Sequence, residues 1–407
     1  MIIGIFYGWW IVLACFLIAL YVAGVVVFGF SAFFEPIVEE FGWSYTQVSF
    51  ATSLRGLEMG IFAPIIGFLV DRFGSRRLVF FGAITAGFGL ILLSFTKSLV
   101  VFYASFLLLA LGAGGCMSVV LVTAVAKWFD KNFGKAFGVV TCGFGAGGLI
   151  VPLIVWLIDL YHWRTALVIL GLGMWILGIP LSFVIRDRAK QFIYIPDEES
   201  LHDPMTHIEN KSKEFGMDLK EAIKQRTFLY LGIVEVIRFM IVSAVILHIM
   251  PYLSTRGIPR PTAGMVAAAI PVFSIIGRFG FGWLGDVYNK RYTMVVALCL
   301  MGMGLLTFCY LRQGWIILIF LFLFSSGCWG TMILSRTIQR EYFGKDSFGK
   351  MLGVILGLGS VGGIMGPTLA GWVFDTFGVY HFVWLVFLCF TIIAIILVIR
   401  IEPKTNR

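Results

Sequence analysis

Long apolar segments follow one another along this chain, and short polar turns separate each segment from the next. An α-helix rises about 1.5 Å per residue, so about 20 apolar residues suffice to cross a hydrocarbon core of about 30 Å. We place twelve such spans at residues 8–34, 44–70, 77–96, 99–127, 134–158, 164–185, 228–254, 262–285, 292–311, 314–340, 348–374 and 380–400. The pattern therefore predicts an all-α integral membrane protein with twelve transmembrane helices.

A single long polar stretch, residues 186–226, divides these spans six and six. The two sides repeat each other at a constant offset of 215 residues, which places Pro36 on Pro251 and Asp71 on Asp286. The repeat predicts two pseudo-symmetric six-helix bundles, residues 1–185 and 227–407, joined by a cytoplasmic linker. Transporters with parallel repeats of this kind bind their substrate near the bilayer midplane.

Basic residues are distributed unevenly between the two sides of the predicted membrane. If the N-terminus is cytoplasmic, the inner segments carry 22 of the 31 lysines and arginines and the outer segments carry 5. Basic residues accumulate on the cytoplasmic side of membrane proteins. The count therefore predicts a multi-pass protein of the cell (inner) membrane with both termini in the cytoplasm.

Composition excludes several other classes of protein. The chain is 59% hydrophobic and only 13% charged, which is not the composition of a soluble domain. Its net charge of +9 follows from the inner loops, so no nucleic-acid partner is expected. The seven cysteines form no metal-ligand spacing, and no catalytic motif appears. We expect neither an enzyme nor a metal or cofactor site.

Four arginines lie inside the predicted spans, and their surroundings differ. Arg55 with Glu58, and Glu235 with Arg238, are each three residues apart, so the members of each pair can neutralise each other on one helix. Arg336 lies near the inner end of the tenth span, where we expect it to join a cytoplasmic network with Asp286.

Arg278 is then the one uncompensated charge predicted at the midplane. It lies eight residues before Asp286, which marks the membrane surface, and hence about 12 Å deep. A charged side chain in a spanning helix costs about 2.5–3.5 kcal/mol or more unless it faces protein, water or a counter-ion. One free arginine suits a monoanion, and its planar fork binds a carboxylate through two hydrogen bonds. The alternative is an arginine paired permanently with a buried carboxylate.

Two loops carry a family resemblance. The segment GFLVDRFGSRR, residues 67–77, resembles the loop signature between the second and third spans of the major facilitator superfamily, and GWLGDVYNKR, residues 282–291, resembles its degenerate copy. The resemblance implies a latch that holds the cytoplasmic face closed in one state. Its members would be Gly67, Asp71, Arg72, Gly282, Asp286 and Arg291. The two aspartates can accept hydrogen bonds from exposed N–H groups at a neighbouring helix N-terminus.

Within that superfamily the chain resembles the monocarboxylate porters. The resemblance lies in Gly8-Trp9-Trp10, in Trp128-Phe129, in GKAFGVVTCGFGAGG at residues 134–148, and in Arg278. It implies that Arg278 binds the substrate carboxylate. Two positions depart from the family pattern: Ser274 replaces an aspartate one turn before Arg278, and Phe28 replaces a first-span lysine. We take Phe28 and Ser274 as substrate-binding candidates together with Arg278. Cavity-side positions in this fold add four further aromatic candidates, which are Tyr21, Phe144, Phe273 and Trp329.

The resemblance predicts a carrier for a small monocarboxylate such as lactate or pyruvate, coupled to a proton and functional as a monomer. With no aspartate before Arg278, the groups left to hold the proton are Glu58, His248 and, nearer the cytoplasm, Glu235. The alternative roles of these residues are structural, as ion pairs or as a hydrogen-bonded histidine at a helix end. Exchange of one organic anion for another is the alternative mode of transport, and a non-transporting membrane sensor is a further alternative.

Overall fold

The computed structural model describes most of the 407-residue chain. The described residues are 6–54, 63–129, 133–186, 224–310, 314–343 and 345–401. The predicted linker, residues 186–226, lies almost wholly outside them, as do Arg55 and Glu58. For brevity, the described helices before residue 187 are called the first half of the chain, and those after residue 223 the second half.

The first half contains nine α-helices. They are α1 (Tyr7–Val22), α2 (Phe30–Phe41), α3 (Tyr45–Ser53), α4 (Ala63–Phe73), α5 (Ser75–Ser94), α6 (Leu99–Gly114), α7 (Ser118–Ala126), α8 (Phe133–Ala146) and α9 (Val151–Val184). A π-helical turn at Ala23–Phe28 joins α1 to α2, and a 3-10 turn at Gly147–Ile150 joins α8 to α9. The backbone of α9 breaks at His162, where φ is 70° and ψ is 150°, so this stretch crosses the molecule twice.

The second half contains six longer α-helices. They are α10 (Arg226–Thr255), α11 (Arg260–Val287), α12 (Lys290–Cys309), α13 (Ile316–Phe343), α14 (Lys345–Phe377) and α15 (His381–Ile399). Both ends of each helix lie within three residues of the predicted bounds, because polar and glycine-containing turns interrupt the apolar runs there.

The described helices make twelve crossings, so the predicted all-α, twelve-span fold is confirmed. Ten continuous stretches are long and apolar enough to cross a membrane. One of them, Lys135–Val184, contains two crossings, and α3 with α4 supplies the remaining one. Because successive crossings alternate in direction, Tyr7 and Ile399 lie on the same face of the molecule. We call this the termini face, and the opposite one, where α2 ends at Phe41, the far face.

Local sequence explains how α2 gives way to α3 at the far face. Gly42 ends α2 with φ of 64°, a left-handed conformation that glycine adopts without strain. The Ser44 side chain then accepts a hydrogen bond from the Gln47 backbone N–H at 3.1 Å, and the Gln47 side chain accepts one from the Ser44 N–H at 3.0 Å. This reciprocal cap fixes the start of α3.

Glycines bring α14 into close contact with α10. A Cβ atom at Gly362 would lie 2.8 Å from the carbonyl carbon of Val236 and 3.0 Å from the backbone nitrogen of Met240. A Cβ at Gly366 would lie 2.8 Å from the carbonyl carbon of Met240. Small residues at these positions therefore set the distance between the two helices.

Substituting Gly362 with alanine is expected to destabilise the protein by about 1–3 kcal/mol, because the added methyl group overlaps the α10 backbone. Gly357 on the same helix is the matched control, since a Cβ there meets nothing within 4 Å. Alanine at Gly357 should leave stability unchanged or raise it, because alanine favours helix. Thermal unfolding of both variants in detergent would test this, and equal midpoints would contradict it.

Candidate functional site

A central cavity of about 300 Å³ lies between the two halves of the chain. The first half contributes Phe28, Thr52 and Phe144 to its wall, and the second half contributes Arg238, Arg278 and Trp329. The remaining wall is mostly apolar, with Val27, Val242, Ile246, Leu247, Met332 and Pro367 among its residues. A concave, apolar site with a few charged groups is the usual form of a small-molecule site.

Arg278 is a charged residue of this wall that has no counter-ion among the described residues. Its guanidinium carbon lies 5.9 Å from the centre of the Trp329 ring, a cation–π distance. Its Nε atom is buried without a hydrogen-bond partner, and no described carboxylate forms an ion pair with it. It lies nine residues before the end of α11, about 13 Å from that end. The arginine is therefore available to an anion.

Three of the predicted pocket aromatics line the cavity: Phe28, Phe144 and Trp329. Tyr21 does not line this cavity, because its hydroxyl donates to the Leu170 carbonyl at 2.7 Å and holds the side chain against α9. Ser274 does not line it either, and a substrate-binding role for both residues stays a prediction. The Ser274 side chain is fully buried, and its hydroxyl donates to the Pro271 carbonyl at 2.5 Å.

Phe273 is likewise absent from the cavity wall, and its role in substrate binding stays a prediction. Its ring is partly buried and packs against the apolar core. On α11, Arg278 reaches the cavity while the residues one turn before it do not. Arg278 therefore lines the cavity without the residue one turn before it, which the family pattern includes in the site.

Arg238 lines the cavity, whereas the sequence predicted for it only an ion pair with Glu235. The pair itself is confirmed. Glu235 accepts from Arg238 Nε at 3.0 Å and from Nη2 at 2.6 Å, and each residue is 3% exposed. Both carboxylate oxygens of Glu235 are therefore used by Arg238, which brings no net charge to the cavity.

Arg336 differs from its prediction. The expected pair with Asp286 is absent, because Asp286 is exposed and forms no ion pair with a described residue. The Nε atom of Arg336 is buried without a hydrogen-bond partner, and no described carboxylate forms an ion pair with this residue. Arg278 is therefore not the only arginine in the described helices that lacks a counter-ion.

His248 lies behind the cavity wall, on the far-face side. It is fully buried on α10. Its Nε2 lies 3.1 Å from the Ser49 hydroxyl and 3.1 Å from the Pro367 carbonyl, and its Nδ1 lies 2.9 Å from the Tyr380 hydroxyl. Because Ser49 belongs to the first half of the chain, His248 connects the two halves.

Other contacts between the halves also lie towards the far face. The Asp375 carboxylate, at the end of α14, accepts from the backbone N–H groups of Tyr45 and Thr46 at 2.9 and 2.8 Å. Arg260 lies 3.5 Å from Asp159 and donates to the Ala32 carbonyl at 3.0 Å. The hydroxyls of Ser53 and Thr368 are 2.9 Å apart. The far face is therefore closed.

The residues of the predicted latch lie on the termini face. Arg72 is exposed, with its guanidinium carbon 5.4 Å from the Phe73 ring centre, and Arg291 donates to the Ile401 carbonyl at 2.6 Å. Gly67 lies on α4 and Gly282 on α11, with Asp286 near the end of α11. The Asp71 backbone belongs to α4, but its side chain is outside the described set. The described latch side chains thus form no contact between the halves in this state.

Comparisons with known proteins agree with this architecture. The model of the Major Facilitator Superfamily matches residues 11–277 and 231–407. The chain is 26% identical to "Monocarboxylate transporter 12" of Mus musculus, which covers 92% of this chain and 81% of the relative. It is 25% identical to "Monocarboxylate transporter 13" of Bos taurus, with coverage of 92% and 84%.

Solved structures show the same fold. A bacterial homologue of the human lysosomal transporter Spinster, in an inward-facing and occupied conformation, superposes with a TM-score of 0.79 at 14% identity and covers 97% of each chain. A mutant of the nucleoside transporter NupG superposes with a TM-score of 0.74 at 11% identity, covering 97% of this chain and 99% of that one. The chain therefore belongs to the Major Facilitator Superfamily, as a multi-pass secondary transporter distantly related to the monocarboxylate transporters and not an enzyme.

Proposed function

We propose that this transporter carries a small organic monocarboxylate, such as lactate or pyruvate, with Arg278 holding the carboxylate. The observation that best supports this proposal is that the Arg278 guanidinium has no ion-pair partner among the described residues and lines a cavity between the two halves. The cavity volume of about 300 Å³ is at the small end of ligand pockets and suits a small metabolite. The distant relationship to monocarboxylate transporters supports the same class.

Transport on this proposal proceeds by alternating access between two bundles, residues 1–185 and 227–407. By the count of basic residues, the termini face is cytoplasmic and the far face is outer. The contacts between the halves near Asp375, Arg260 and His248 then close the outer side. On this proposal the outer side is closed in the state described here, and the latch at Asp71 and Asp286 closes the cytoplasmic side in the opposite form.

Co-transport of a proton accounts for uptake of an anion into a negatively charged cell. Moving one charge across the membrane costs about 2.3 kcal/mol per 100 mV, and a proton beside the carboxylate removes that cost. Glu58 remains the first candidate for the proton-holding group. His248 is enclosed by three hydrogen-bonding groups and Glu235 is held by Arg238, so each must first lose its partners. Exchange of one organic anion for another is the second mode of transport, supported by the same Arg278 site.

Purified protein in proteoliposomes is expected to accumulate labelled lactate or pyruvate when the pH outside is lower than inside, and to accumulate much less without the gradient. Liposomes without protein, and uptake competed by unlabelled substrate, provide the controls. Exchange without gradient-driven accumulation would favour the antiport mode. No saturable uptake across a panel of small carboxylates would reject the proposed function.

A further inference from the structure

Two arginines in the second half of the chain form no ion pair with a described carboxylate. The Nε atoms of Arg278 and Arg336 are both buried without a hydrogen-bond partner among the described residues. Like charges in a region of low dielectric repel strongly. An arrangement of this kind persists in a protein where it has a use, and the use available to two guanidinium groups is to bind anions.

Glu235 does not remove the charge of Arg336. Both of its carboxylate oxygens accept hydrogen bonds from Arg238, at 3.0 and 2.6 Å, and it forms no ion pair with Arg336. Counting Arg238, Arg278 and Arg336 against Glu235 leaves two positive charges in this cluster of described residues. A monocarboxylate at Arg278 neutralises one of them and leaves the other.

Arg336 lies on the cavity side of α13. Trp329 and Met332 line the cavity, and Arg336 follows them on the same helix at spacings of seven and four residues, which places all three on one face. The arginine is partly exposed, as expected of a residue at the edge of the cavity. Arg336 is therefore on the cavity side of α13, one turn beyond Met332, which lines the cavity.

The packing of α11 on α13 gives the relative heights of the two arginines. A Cβ at Gly277 would contact the Ser326 backbone, and one at Gly285 would contact the Leu334 side chain, so facing positions differ by 49 residues in both cases. Arg336 is then level with Val287, nine residues beyond Arg278, or about 13 Å nearer the termini face.

We propose that Arg278 and Arg336 form a two-point site for an aliphatic dicarboxylate, with one carboxylate on each arginine. The proposal rests on the proposed function, because it requires an organic anion at Arg278, and it extends the substrate class to short dianions. A monocarboxylate occupies only the Arg278 position. A dianion of suitable length neutralises both arginines and binds more tightly.

Competition binding with matched acids tests the proposal. Malonate, succinate and glutarate are compared with propionate, butyrate and valerate, the monocarboxylates of equal carbon number, as competitors of a labelled monocarboxylate on the purified full-length protein. We expect at least one dicarboxylate to bind at least about tenfold more tightly than its partner, because a charged hydrogen-bonded contact is added. Dicarboxylates that compete no better than their partners would overturn the proposal and leave the monocarboxylate function intact.

Substitution of Arg336 identifies the second contact. In Arg336→Gln the advantage of the dicarboxylate should disappear, while the affinity for the monocarboxylate changes by no more than about twofold. Arg336→Lys should retain part of the advantage, because it retains the charge. Arg256→Gln, which removes a positive charge at the far end of α10, should retain all of it. If the dicarboxylate still binds more tightly than the monocarboxylate in Arg336→Gln, Arg336 is not the second contact. The ratio of the two affinities does not change when the variant only loses stability.

Discussion

Replacing Arg278 with alanine is expected to reduce the affinity for a small carboxylate by at least about 30-fold, because removal of a desolvated charged partner costs about 2–5 kcal/mol. The guanidinium has no partner among the described residues, so its loss leaves no buried carboxylate uncompensated. The protein should therefore remain folded. Binding of labelled substrate to purified variants, with the unfolding midpoint measured in parallel, gives both quantities.

Two further variants separate charge from geometry at this position. Arg278→Lys keeps the charge but loses the two-pronged contact, so its affinity should lie between those of the wild type and the alanine variant. Ser274→Ala is the matched control one turn earlier on α11, since Ser274 bonds to Pro271 and does not line the cavity. Unchanged affinity in a folded Arg278→Ala variant would remove Arg278 from the substrate site.

The fold was predictable from the sequence because the bilayer imposes a length and a polarity on every span. The turns between the helices α10 to α15 can be located in the sequence from residues that favour turns, which are Gly257, Asn289, Gly314 and Gly378. The Glu235–Arg238 pair was predictable for a related reason, since both residues lie on one helix and their separation fixes their distance.

The cavity wall was less predictable, and the first span shows why. Tyr21 and Phe28 are seven residues apart, which puts them on one face of a regular helix. The π-helical turn at Ala23–Phe28 lies between them and changes the phase of the helix. Phe28 therefore faces the cavity, while Tyr21 bonds to α9. No residue pattern marks such a turn.

The second unpaired arginine was missed for a different reason. The sequence assigned Arg336 to Asp286 because both lie near the termini face. Whether two residues on separate helices meet depends on the helix packing and on the conformational state, and neither can be read from spacing along the chain. In this state Asp286 is exposed, and the Nε atom of Arg336 has no hydrogen-bond partner among the described residues.

The closed far face depends strongly on Asp375. Its carboxylate caps the N-terminus of α3, where it accepts from the N–H groups of Tyr45 and Thr46 and from the Thr46 hydroxyl at 2.5 Å. The helix belongs to the first half of the chain and the carboxylate to the second, so this cap exists only while the far face is closed. Loss of an N-cap costs about 0.5–2 kcal/mol, and a negative charge at a helix N-terminus adds to it.

Asp375→Ala is therefore expected to shift the balance between the closed and open far face by about tenfold towards the open form, since about 1.4 kcal/mol corresponds to tenfold. Spin labels at Lys97 and Val379, in a background without native cysteines, would report the distance between the halves at that face. Glu39→Gln is the matched control, because Glu39 is an exposed acid at the same face that takes no part in the cap. A distance distribution that Asp375→Ala leaves at the wild-type position would show that the cap does not hold the two halves together.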